Sequence, residues 1–197
     1  VTRRWPSAKS CSIIIRTIMR RILVTGANGQ LGNAMRLLGA TSRNEYRFTD
    51  VAELDITDEE AVRRAVCDGR IDVIVNCAAY TNVDRAEEDE AAADRINRLA
   101  VGNLARAAAA ADATLIHVST DYVFSGDANR PYDETCETHP LGVYGRTKLA
   151  GEAEIEHSGC KSLIIRTAWL YSEFGHNFLK TMLRLTAERD RLSLIHI

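Results

Sequence analysis

Tyr144 and Lys148 are the two residues whose types and spacing point most directly to chemistry. Four apart on a helix, they share one face about one turn from each other. A free phenol titrates near pH 10 and is a poor acid or base at neutral pH. An ammonium group beside it favours the phenolate and brings it towards the working range. Upstream, Ser119 and Thr120 close a predicted strand, and the Thr120 hydroxyl can donate a hydrogen bond to the same oxygen that Tyr144 would protonate. Pro140 stops any earlier helix start and suits a loop leading into such a site. A lone Tyr-x-x-x-Lys is also what two surface residues at helical spacing look like, so its weight rests on what precedes it.

What precedes it is a glycine-rich loop, Gly26-Ala27-Asn28-Gly29-Gln30-Leu31-Gly32. Gly26 permits the tight turn out of a strand, Gly29 lets backbone N–H groups approach a pyrophosphate, and Gly32 lets the following helix pack closely on the sheet. The helix N-terminus adds partial positive charge for the phosphates. The strand-before, helix-after context separates this motif from a turn with incidental glycines. No Gly-Lys-Ser/Thr follows, which argues against a Walker-type loop. Asp50 closes the second predicted strand 18 residues beyond Gly32, where a carboxylate accepts hydrogen bonds from adenosine ribose hydroxyls and repels a 2′-phosphate. A solvated strand-end aspartate is the plainer alternative, and Arg43 and Arg47 stand near enough to keep NADPH open beside NADH.

These residues need a scaffold, and the pattern supplies one. Apolar runs at 22–24, 46–48, 71–75, 114–118 and 163–165 read as strands. Helical stretches at 31–38, 88–112 and 141–156 lie between them, and a capping box with Thr57 at the N-cap and Glu60 three residues on opens a further helix towards Val66. The β-α-β-α-β-α-β-α-β order with short connections predicts an α/β fold, a Rossmann-type doubly wound parallel sheet with helices on both faces. Ser119 and Thr120 then fall at the carboxyl edge of that sheet, where such folds bind ligands.

The chain has 197 residues, 46% apolar and 26% charged, enough for one sizeable core. A net charge of −2 makes no case for nucleic acid, and no run approaches the roughly 20 apolar residues of a membrane helix. Residues 1–18 read as a leader or non-native extension. Arg16 breaks the apolar run after Ile13-Ile14-Ile15, which argues against a secretory signal and leaves a transit peptide as the alternative. Five scattered cysteines without a CxxC pair suggest reduced thiols in a cytoplasmic protein, and the five histidines show no metal-ligand spacing.

The GxxGxxG spacing resembles the extended branch of the short-chain dehydrogenase/reductase superfamily. A narrower resemblance lies in Ser119-Thr120-Asp121-Tyr122-Val123-Phe124, in residues 143–152 around Tyr144 and Lys148, in Arg166-Thr167-Ala168-Trp169-Leu170-Tyr171, and in residues 72–81. Together these resemble the dTDP-4-dehydrorhamnose reductase family from about residue 19 to 191. The resemblance implies Thr120, Tyr144 and Lys148 as catalytic residues. It implies Gly29-Gln30-Leu31, Asp50, Asp55-Ile56, Ala79-Tyr80-Thr81 and Val118 along NADH or NADPH, and Thr120, Asp121 and Trp169 at the sugar nucleotide. The implied reaction reduces dTDP-4-dehydro-6-deoxy-L-mannose to dTDP-L-rhamnose, for cell-surface polysaccharide. Lys148 would hold the nicotinamide ribose and lower the Tyr144 pKa.

Some family members carry Mg2+ at a dimer contact; nothing in the sequence locates such a site, and a homodimer stays open. Family members are longer, so the C-terminal sugar-nucleotide part is expected to be largely missing, with residues 192–197 read as a truncation artefact. Two alternatives remain at this point: a non-catalytic, reductase-like regulatory subunit of methionine adenosyltransferase, and another nucleotide-sugar 4-ketoreductase.

Overall fold

A computed structural model describes residues 19–189 and 191. The expectations for the leader, 1–18, and for 192–197 lie outside the described residues. Five parallel strands form one sheet in the order β2-β1-β3-β4-β5: β1 Arg21–Thr25, β2 Glu45–Phe48, β3 Val73–Asn76, β4 Thr114–Thr120 and β5 Lys161–Thr167. The chain runs from β1 outward to β2, then back across β1 to β3 and onward. The reversal beside β1 opens a crevice at the carboxyl ends of β1 and β3.

Strand alternation sends side chains to two faces. Leu23, Ile74 and Leu115 pack with Val62 and Val66 of α2 (Glu59–Cys67), Leu104 of α5 (Ala100–Ala110) and Ile155 of α6 (Val143–Ser158). Ile22, Val24 and Val75 face the other way, towards Met35 of α1 (Gln30–Ala40). Among the described residues no helix is long and apolar enough to cross a membrane.

The local boundaries correct several expectations. The α2 N-cap is Asp58, whose carboxylate accepts from Ala61 N at 2.9 Å, and not Thr57. Thr57 is occupied by Asp55, which accepts from both its N–H and its hydroxyl, while Glu60 pairs with Arg63. The third strand begins at Val73; Ile71 is buried just before it, and the Asp72 carboxylate is turned to Arg21 N at 2.7 Å.

The stretch expected as one helix over 88–112 is broken. It becomes α3 (Val83–Glu88), α4 (Glu90–Asp94), a π-helical turn over Arg95–Leu99, and α5. Asp89 leaves helical geometry (φ −135°, ψ 67°) and caps α4 by accepting from Ala92 N. The sequence reading also missed α7, Phe178–Glu188, opened by an Asn177 cap on Lys180 N.

Candidate active site

The loop leaving β1 turns at Gly26 with φ +63°, a conformation L side chains rarely adopt. A Cβ there would lie 2.6 Å from Ala78 N, so the β1 and β3 turns touch backbone to backbone. At Gly32 a Cβ would lie 2.5 Å from Ala27 Cα, which is how α1 comes down onto the loop. Gly29 is the α1 N-cap without a side-chain partner, leaving the N–H groups of the first turn free for an anion.

Two adjoining cavities follow from this. One, of about 340 Å³, is lined by Gly26, Gly29, Asp50, Asp55, Ile56 and Ala79, with Arg95 and Ile96 of the π-helical turn as a wall. The Asp50 carboxylate accepts from Asn28 N at 2.9 Å and from Val51 N, which ties it to the glycine loop. Hydrogen bonds from Thr57 hold the Asp55 carboxyl below its usual range.

The second cavity, of about 500 Å³, shares Gly29, Cys77 and Ala79 with the first and runs past Gln30, Leu31, Thr81, Val118, Thr120, Asp121, Tyr144, Lys148 and Trp169. Two expected residues are not in either wall. Gly32 lies beneath the loop. Tyr80 turns its ring towards Ala86, Ala93 and Val143 beside Tyr144, and its backbone is gripped by Asn97. A larger cavity, about 620 Å³, lies along β5 at Glu152, Ile165 and Arg166, and meets the cleft only at Asp121, Thr167 and Ala168.

Within the cleft, Thr120 is 5% exposed. Its hydroxyl lies 3.2 Å from the Asp121 carboxylate and accepts from Tyr122 N. Tyr144 meets Tyr122 edge to face, ring centroids 5.6 Å apart. Burial pushes the Tyr144 phenol up; the Thr120 hydroxyl pulls it down and Asp121 adds to the rise. This corrects the expectation that Lys148 would lower it. Lys148 is 1% exposed and its Nζ donates to the Val118 carbonyl at 2.8 Å, with His117 Nε2 at 3.2 Å. Desolvation lowers its pKa to about 8, against the favourable charge of Glu152. Glu152 is held by Ser119 Oγ and by Arg166 at 2.7 Å.

Several contributors escaped the sequence reading. Gln30 donates to the Leu170 carbonyl and accepts from Ser172 and Asn177, drawing segment 170–177 over the glycine loop. Arg36 lies over the Phe48 ring at 4.8 Å and reaches Ala27 O and Asn28 Oδ1, beside Asp50. Trp169 is 66% exposed at the cleft mouth, edge to face with Phe178. Among the described residues no cluster of three His, Cys, Asp or Glu could hold a metal.

A family model for the RmlD substrate binding domain matches residues 19–197. The chain belongs to the RmlD substrate-binding-domain family. A dTDP-4-dehydrorhamnose reductase of Mycolicibacterium smegmatis is 46% identical over 196 residues, 98% of this chain and 59% of that protein. Among solved structures, the dTDP-4-dehydrorhamnose reductase of Clostridium acetobutylicum is similar with a TM-score of 0.86 at 43% identity, over 89% of this chain and 62% of that one. The Bacillus anthracis reductase, solved in complex with NADP, gives a TM-score of 0.85 at 40% identity over the same shares, 89% and 62%. The chain thus spans about three fifths of the length of the RmlD-family proteins it matches.

Proposed function

We propose that residues 19–191 form the NAD(P)H-binding and catalytic part of a dTDP-4-dehydrorhamnose reductase, converting dTDP-4-dehydro-6-deoxy-L-mannose to dTDP-L-rhamnose. The observation that carries this reading is one cleft holding Thr120, Tyr144 and Lys148 together with Gly29 and Gln30 of the phosphate loop. The reductase names of relatives at 43–46% identity support the substrate class. The four described cysteines are free thiols, which supports a reducing, cytoplasmic setting.

The residues fit a dinucleotide. The turn from Gly26 to Gly29, closed by Gly29 N on Gly26 O, and the N–H groups at the start of α1, which have no side-chain cap, make a cradle, and Asp50 presents a carboxylate in the adjoining cavity. Asp55, Ile56 and Ala79 would line the adenosine end, with Gln30, Leu31, Thr81 and Val118 towards the other. When bound, a reduced nicotinamide supplies the hydride for the keto carbon.

The reduction direction asks the protein for an acid. Because burial raises the Tyr144 pKa, its hydroxyl keeps the proton at neutral pH and can give it to the alkoxide oxygen as that oxygen develops. Thr120 would donate to the same oxygen, and Lys148, anchored on Val118, would hold ribose hydroxyls with the remaining hydrogens of its amine. Asp121 and Trp169 at the cleft mouth would meet the sugar nucleotide. The presence of all three catalytic side chains favours an enzyme over a regulatory nucleotide-binding subunit.

The test is oxidation of NAD(P)H by the enzyme containing this chain, with and without the keto-sugar. Tyr144→Phe should lower turnover by about 10²–10⁴-fold with little change in nucleotide affinity. Near-normal turnover in the variant removes Tyr144 from the mechanism. A parent enzyme without substrate-dependent oxidation refutes the reductase reading.

A further inference from the structure

A buried hydrogen-bond chain runs from Thr25, the last residue of β1 before the glycine loop, to Lys148. Thr25 Oγ1 donates to Asn76 Oδ1 at 2.7 Å, Asn76 Nδ2 meets His117 Nδ1 at 3.0 Å, and His117 Nε2 meets Lys148 Nζ at 3.2 Å. Thr25, Asn76, His117 and Lys148 are each 1% exposed or less. The orientation of the Asn76 amide is decided by Ala78, whose backbone N–H can only donate and reaches Oδ1 at 3.1 Å. The amide nitrogen must therefore face His117, and Nδ1 must accept.

A neutral imidazole with Nδ1 as acceptor carries its hydrogen on Nε2, pointing at Lys148. An N–H can donate there only if Nζ offers a lone pair, that is, if Lys148 is an amine. An ammonium would need the opposite tautomer, with hydrogen on Nδ1, and that hydrogen would collide with the Asn76 NH₂ unless the amide turned over. Turning it over takes the acceptor away from Ala78 N, which packs against Gly26 where a Cβ would lie at 2.6 Å. The imidazolium is not a way out, since burial and the neighbouring Lys148 hold His117 neutral.

We propose that His117 is a positioning residue whose tautomer ties the charge on Lys148 to the amide orientation of Asn76, and so to the turn at Ala78 beside the phosphate loop. When Lys148 takes a proton from solvent, His117 exchanges its hydrogen from Nε2 to Nδ1 with no net change of its own, and the Asn76 amide reverses. Nucleotide oxygens that favour the ammonium at Nζ then also reset the turn that borders them. That consequence rests on the reading of Lys148 as a cofactor contact; the relay itself does not. The other titratable or charged groups around the amine are Tyr144 and Glu152 on its own helix, Arg166 of β5 acting through Glu152, and Cys77 and Asp121 along the cleft.

The experiment is an NMR titration of the full 197-residue chain, isotope-labelled at histidine and lysine, from below neutral to strongly alkaline pH. Long-range proton–nitrogen spectra read which His117 nitrogen carries hydrogen, and the Lys148 side-chain carbons read its charge. The expected result is Nε2–H above the Lys148 transition and Nδ1–H below it, with one shared midpoint. Retention of Nε2–H while Lys148 becomes charged overturns the proposal, as do transitions that fail to coincide. Asn76→Asp offers an acceptor to Thr25, Ala78 and His117 alike and should lock Nδ1–H throughout; persistent Nε2–H in that variant also overturns it. If the variant does not fold, the parent titration decides alone. No turnover enters either readout, so a failed reductase assay and a failed relay are distinguishable.

Discussion

Asn97→Ala tests whether the cofactor-side segment 79–81 is held from behind. Asn97, 1% exposed on the π-helical turn, accepts from Tyr80 N at 2.9 Å and donates to Tyr80 O at 3.1 Å and Thr147 Oγ1 at 3.2 Å. A π-helical turn is the device that rotates one side chain out of α-helical register, and here it turns an amide inward onto extended backbone. Truncation removes three hydrogen bonds, each worth about 1 kcal/mol net, and leaves Tyr80 N without its acceptor. Water can reach part of Tyr80, so the expected loss is about 2–4 kcal/mol rather than the full desolvation cost. Urea unfolding should show that loss with the slope unchanged, and thermal unfolding should show it as roughly 4–16 °C in Tm for a domain of this size. Nucleotide affinity, titrated by fluorescence, should fall in the same variant because Ala79 and Thr81 line the cleft on either side of Tyr80. A loss below about 1 kcal/mol with unaltered nucleotide binding would refute the clamp.

Burial lowers Lys148 from 10.5 to about 8, so the unfolded chain binds the extra proton between those values and stability climbs with pH across that window, by roughly 3 kcal/mol at 1.36 kcal/mol per unit. Lys148→Met should be more stable than the parent near neutrality and lose that advantage by pH 10.5; the comparison must be made as a difference, because the Cys77 thiol, pushed by burial from 9.0 to about 11, works in the opposite direction between those values. A parent and variant with parallel pH profiles would contradict the buried charge. For cofactor choice, Asp50→Ala should shift the affinity ratio towards NADPH, while Arg36→Ala should weaken NADPH about tenfold and leave NADH unchanged, the loss expected of one phosphate contact; equal effects on both nucleotides would remove Arg36 from the 2′-phosphate position. Gly32→Ala places a Cβ 2.5 Å from Ala27 Cα and 2.6 Å from Gly26 O, all backbone, and should destabilise by about 1–3 kcal/mol and weaken nucleotide binding with it. Unchanged urea midpoints would mean that α1 can lift without cost.

The features legible in the sequence are those whose physics is local. The inner strands announce themselves as short apolar runs because they are covered on both faces, whereas Leu163 and Ile165 of the edge strand β5 are exposed. The turn at Gly26 and the close approach at Gly32 each require glycine, and Tyr144 and Lys148 share a face by helical spacing alone. Where several residues of equal local merit compete, sequence reasoning slips by one or two positions. Thr57 and Asp58 both suit an N-cap, and Asp55 takes the Thr57 hydroxyl, leaving the cap to Asp58. Asp89 and the π-helical turn interrupt a stretch of good helix formers because segment 79–81 needs an amide from Asn97, a partner 17 positions away from Tyr80.

Charge environments were the least local of all. The spacing of Tyr144 and Lys148 suggests an ammonium lowering a phenol, yet the packing of α6 on β4 turns Lys148 towards Val118 and His117 and buries both functional groups, so desolvation raises the phenol and lowers the amine. Burial is a property of everything that surrounds a residue, and contacts such as Asn76 to His117, 41 positions apart, exist only once the sheet has brought β3 and β4 side by side. The sequence by itself determined that Thr120, Tyr144 and Lys148 stand out as candidates, and the fold gathers them in one cleft. The tertiary structure decided their protonation, because that depends on what the folded chain removes from water.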